Sequence, residues 1–209
     1  MFRWERVNAL RNTLPHEGAV SNIAVNKVRF ESDPARVDAP VLDFYLSYWR
    51  EKRSRNKMPA RSQLRPSEIR EHIASITLAE GLPGLDDFRF RIVGTKVAQY
   101  FLADATGKTI RQLYAAAVKP VIDGIVQLHR APLERAAPLL IHASTTLVEG
   151  LYFTAFDVLY LPLSDSAGNG AFVLGAYSFP DSMDTDQNLP SGLPGAYSAA
   201  PPIIAIDLD

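Results

Sequence analysis

There is no cysteine anywhere in the 209 residues. That absence removes disulfides, thiolate nucleophiles and any cysteine-held zinc or iron–sulfur centre. Long apolar runs are missing too. No stretch approaches the roughly 18 consecutive apolar residues that span a bilayer, and the opening MFRWERVNAL breaks its apolar residues with charges, unlike a secretory leader. A formal net charge of -1 offers no global attraction for nucleic acid or anionic lipid. Glycine-rich phosphate signatures are absent, and serine, histidine and aspartate show no nucleophile-elbow spacing. These absences predict a cytoplasmic protein that is not an enzyme, with neither nucleic acid nor membrane as partner.

What is present is globular in composition: 47% hydrophobic, 22% charged and 10% aromatic, enough for one domain with extensions. Residues 1–38 read as an N-terminal extension with a possible strand over Ser21 to Phe30. Residues 39–180 form the domain. Beyond Pro180 the chain carries five acids and no lysine or arginine, so 181–209 read as a flexible acidic, proline-rich tail.

Asp38 ahead of Pro40 predicts an N-cap and a helix running to about Arg53. Val41, Leu42, Tyr45, Leu46, Tyr48 and Trp49 give it an apolar stripe that must be covered by the domain or by a second copy in a homodimer. From Arg50 to Arg70 the basic residues are Arg50, Lys52, Arg53, Arg55, Lys57, Arg61, Arg65 and Arg70, against Glu51 and Glu68. Such a patch could hold an acidic partner or nucleic acid, while a solvated helix end and loop is the plainer reading.

The organising stretch is Phe88 to Gly107. Phe88, Phe90 and Ile92 alternate with Arg89 and Arg91, predicting a strand with one buried face. Gly94 breaks it, Val97, Tyr100 and Phe101 recur at helical spacing, and Gly107 ends the segment. Around it fall a short helix from Pro66 to His72, a strand from Ala74 to Glu80, and a helix from Val118 to Arg130 with Val118, Val121, Ile122, Ile125 and Leu128 on one face. Three strands follow, Pro138–Thr145, Gly150–Pro162 and Gly170–Phe179, joined by short turns. The order predicts an α+β fold on a five-stranded antiparallel sheet.

That order, with Pro59-Ala60-Arg61-Ser62, Pro66-Ser67-Glu68-Ile69, Phe88 to Thr95 and Asp104-Ala105-Thr106-Gly107, resembles a PAS-like family common in alphaproteobacteria, over about residues 40 to 180. Arg65 stands before Pro66 where an acidic N-cap is more usual in the family. The resemblance implies a PAS-like sheet with helices across one face and the N-terminal helix on the other face or in a dimer. It also implies a stand-alone sensory or regulatory module working through an unidentified signalling protein; it implies no particular cofactor, because PAS modules bind very different ligands or none. Flavin photochemistry of the LOV type and the thioester of photoactive yellow protein both require a cysteine and are excluded.

Alternation and helical spacing give a ligand-lining set of Phe90, Ile92, Tyr100, Phe101, Tyr114, Ile122, Ile125, His129, Phe153 and Tyr177. His16, His72, His129 and His142 are too scattered for a metal motif. His129 continues the stripe of the Val118 helix, where an inward imidazole could ligate a haem iron as in haem-binding PAS proteins; the plainer reading is a histidine at a helix C-terminus. Asp157 lies mid-strand, most simply paired with an arginine. An alternative reading is a small α+β enzyme or carrier with a cone-shaped cavity that uses Asp157 and His142 as an acid/base pair.

Overall fold

Six antiparallel strands form one sheet in the order β1-β4-β5-β6-β2-β3, in a computed structural model that describes residues 22–30, 39–100, 105–115, 117, 119–147 and 152–179. The strands are β1 (Asn22–Phe30), β2 (Ile76–Gly81), β3 (Phe88–Val93), β4 (Leu139–Leu147), β5 (Tyr152–Ser164) and β6 (Gly170–Ser178). The helices are α1 (Pro40–Arg53), α2 (Pro66–Ile69), α3 (Thr95–Tyr100), α4 (Ile110–Leu113) and α5 (Lys119–Arg135). The five expected strands are all present: β4, β5 and β6 as a meander, and β2–β3 as a hairpin beside β6. β1 is an addition. It pairs with β4 from Phe30 opposite Leu139 to Asn22 opposite Thr146, so part of the expected extension belongs to the sheet. The acidic tail over 181–209 lies outside the described residues.

β5 is apolar on both sides because both sides are covered. Phe156, Val158 and Tyr160 enter an inner cluster with α5, while Leu159, Leu161 and Leu163 enter an outer cluster with α1. α1 buries Leu42, Tyr45, Leu46, Tyr48 and Trp49 on that outer side, and the Trp49 Nε1–H donates to the Pro162 carbonyl at 2.7 Å. The stripe that could have met a second copy is therefore covered by the chain's own sheet. The helix starts at Pro40 after an extended Ala39 that makes no side-chain cap; Asp38, the expected N-cap, is outside the described residues. Lys52 pairs with Glu68 at 2.8 Å, and the Tyr48 hydroxyl donates to the same carboxylate at 2.9 Å, tying α1 to α2. Lys52 is the main reason the Glu68 carboxyl sits below its ordinary range.

Three expectations change on contact with the backbone. The β2–β3 register shifts between Leu78 and Ala79, so Ala79 faces Phe90 and Leu78 faces Ile92, with Arg91 as the extra residue. The bulge reverses the alternation: Phe90 stays inside, Ile92 is 37% exposed and Val93 turns inward. Replacing Ile92 by lysine should cost under about 0.5 kcal/mol by urea denaturation, as expected for an exposed position; a loss of several kcal/mol would refute the shifted register. α5 continues past Arg130 to Arg135 with Pro132 inside it. Gly94 has no positive φ and is required instead for close approach, since a Cβ there would collide with the Ala74 carbonyl; Gly107 is the position with φ of +81°.

Arg91 pairs with Glu80, and Arg89 donates to the Gly107 carbonyl at 3.2 Å. Both strand arginines are therefore engaged within the chain. The described residues contain no helix long and apolar enough to cross a membrane.

Candidate functional site

The inner face of the sheet carries the aromatic interior, and a glycine sets its geometry. A Cβ on Gly175 would stand 2.6 Å from Thr77 Oγ1 and 3.1 Å from the rings of Tyr160 and Tyr177. With no side chain there, two tyrosine rings and a hydroxyl converge over the strand. The Tyr177 hydroxyl is hydrogen-bonded to those of Tyr160 and Thr77, and burial pushes the ionisation of both phenols upward. Tyr177 also packs against Phe179 at 5.8 Å and Phe156 at 6.1 Å. Tyr114, just beyond α4, adds a third phenol raised by burial.

His129 projects into this interior from α5 and is 2% exposed. Its ring centroid lies 4.5 Å from Tyr160, 5.4 Å from Phe88 and 5.9 Å from Phe90. Nδ1 is 2.9 Å from the Ile125 carbonyl. A carbonyl only accepts, so Nδ1 carries the hydrogen and Nε2 is left as a lone-pair acceptor. Nε2 is buried with no hydrogen-bond partner among the described residues. Burial lowers the imidazole pKa from 6.5 to about 4, against the opposing influences of the Ile125 carbonyl and the Asp87 charge. The ring is therefore neutral at neutral pH.

The loop facing α5 is pinned in place. Asp87 Oδ1 accepts from the Phe88 amide at 2.8 Å and the Arg111 amide at 3.3 Å, and Arg130 Nε donates to the Leu85 carbonyl at 3.0 Å. These bonds fix the spacing between His129 and the phenylalanines of β3.

Of the expected lining residues, Phe90, His129 and Tyr177 are buried here, and Tyr114, Ile122 and Ile125 pack half-buried against the cluster. Ile92 stands apart from it, for the reason given above. Phe101 and the side chains of Tyr100 and Phe153 are outside the described set. Sequence reasoning omitted Thr77, Phe88, Phe156, Tyr160, Gly175 and Phe179. Extending the alternation of Phe156, Val158 and Tyr160, and of Tyr177 and Phe179, would have found the aromatic ones. His129 is neither exposed nor a helix-end cap. Three rings, Phe88, Phe90 and Tyr160, pack around its imidazole. Among the described residues no three histidine, aspartate or glutamate groups assemble for a metal.

His142 and Asp157 are register partners, with Ser178 opposite Asp157 on the other side. Asp157 stands between the inward Phe156 and Val158, so this row belongs to the outer face. Asp157 of the alternative acid/base pair is thus across the sheet from the aromatic interior, and the His142 side chain lies outside the described set. A groove of about 860 Å³ lies elsewhere again, between the Gly81–Leu85 loop and the Asp165–Ala171 turn, bordered by Arg89 and Arg91.

The site is an antiparallel sheet with helices over an aromatic face into which His129 and several hydroxyls project. A family model described as PAS domain matches residues 38–178, more than half of the chain, and the protein belongs to the PAS domain family. No curated protein and no solved structure matches. PAS domains are sensory and regulatory modules, as a rule without catalysis of their own.

Proposed function

We propose that the chain is a cytoplasmic PAS sensory or regulatory module whose signal is a small guest received at His129 and passed on to a protein partner. The carrying observation is the buried Nε2 without a partner, since an unsatisfied acceptor in an apolar interior is costly. A neutral molecule that offers one hydrogen-bond donor would satisfy it; an anion would meet the Asp87 charge and the same loss of hydration that pushes the ionisation of the three phenols upward. A homodimer built on the apolar stripe of α1 does not belong to this reading, because Leu140, Leu159, Leu161 and Leu174 already cover that stripe.

The test is native mass spectrometry of the protein and of His129→Phe, both purified from the native host. The wild-type protein should carry a bound small molecule that the variant has lost. Bare mass in both proteins, or the same adduct in both, would remove His129 as the receiving group.

A further inference from the structure

The segment after α1 gathers an excess of positive charge. Arg53, Arg55, Lys57, Arg61, Arg65 and Arg70 are all exposed, and none of them forms a salt bridge among the described residues. Of the acids close by in sequence, Glu51 and Glu68 pair with Lys52 at 3.5 and 2.8 Å, and Glu71 stands exposed beside Arg70. The backbone carrying the cations is anchored: Met58, Pro59 and Ile69 are buried, and the Ser164 amide donates to the Pro59 carbonyl at 2.9 Å.

The polar spacers between the cations, Ser54, Asn56, Ser62, Gln63 and Ser67, are exposed, and no residue between Arg53 and Arg70 is aromatic. Two rings adjoin the segment and both are buried: Trp49 beneath the Arg53 guanidinium at 5.5 Å, and Tyr48, whose hydroxyl accepts from the Arg65 amide at 3.0 Å. Guanidinium groups without an exposed aromatic platform suit carboxylates better than stacked bases. Residues 181–209 offer five carboxylates, Asp181, Asp184, Asp186, Asp207 and Asp209, and no cation, whereas residues 1–38 carry both signs. The basic segment adjoins the turn end of the β5–β6 hairpin, roughly 30 Å along β6 from the point where the tail departs. An extended tail of 29 residues reaches about 95 Å.

We propose that the Arg53–Arg70 face is a docking surface for an acidic, cation-free polypeptide, and that residues 181–209 of this chain are its occupant, so a partner of like charge must displace them. The proposal is independent of any guest at His129. Its test compares amide and arginine Nε–H NMR signals of the full chain with those of the full chain carrying Asp→Asn at all five tail aspartates. Signals of residues 53–57, 61–65 and 70 should differ between the two proteins at about 20 mM salt, and the differences should collapse at about 500 mM, where screening is strong. Identical signals at low salt, or differences that survive high salt, would overturn it. So would a short single-stranded RNA that binds these arginines equally well in both proteins, which would mark the face as a nucleic-acid site.

Discussion

Trp49→Ala should lower the stability of the folded chain by about 3–5 kcal/mol, the usual cost of removing a fully packed tryptophan. The side chain is 2% exposed and sits where α1 crosses the sheet, among Leu159, Leu161 and Leu163. Its indole also satisfies the Pro162 carbonyl. Trp49→Phe keeps most of the apolar contact and strands that carbonyl, so it should cost about 1–3 kcal/mol. Urea denaturation followed by far-UV circular dichroism measures both. If Trp49→Ala loses less than about 1 kcal/mol, α1 is not an integral cover of the outer face.

A second large effect is acid sensitivity centred on His129. Its folded-state pKa is depressed to about 4 from 6.5, so between those values the unfolded chain binds a proton that the folded chain refuses. The stabilising contribution of the neutral ring is fully present above pH 6.5 and is lost as the pH falls through about 4, amounting to ~3 kcal/mol when complete. Glu68 and Asp123, whose carboxyls are held low by lysine partners, add acid sensitivity of their own. The diagnostic quantity is therefore the difference between the protein and His129→Phe, which lacks a titrating ring. The variant should lose markedly less stability between about pH 7 and pH 4.5 than the wild type does. Parallel pH profiles would show that water reaches the imidazole.

Periodicity made some of this visible from residues alone. The stripe from Leu42 to Trp49 and the two apolar faces of β5 were legible because burial on a helix or strand leaves a repeat. His129 was legible as inward for the same reason, although not as an unpartnered acceptor, since that depends on which carbonyl its other nitrogen meets. Ile92 was misplaced because a bulge adds one residue and turns every later side chain over, and no local composition announces it. Thr77 and Gly175 were invisible as a pair, being about a hundred positions apart and brought together only by the β2–β6 register. β1 showed only as a possible strand because its residues alternate loosely, and the last turn of α5 went unread although Pro132 is accommodated inside it.

The hydrogen bond from Ser164 to Pro59 bears on the thermodynamics of whatever lands beside it. A cationic strip already fastened to the end of β5 has little backbone freedom left to surrender, so contact there should leave the heat capacity nearly unchanged and draw its driving force from released counterions. Calorimetry with an acidic peptide should then find a binding constant governed by ionic strength and almost indifferent to temperature.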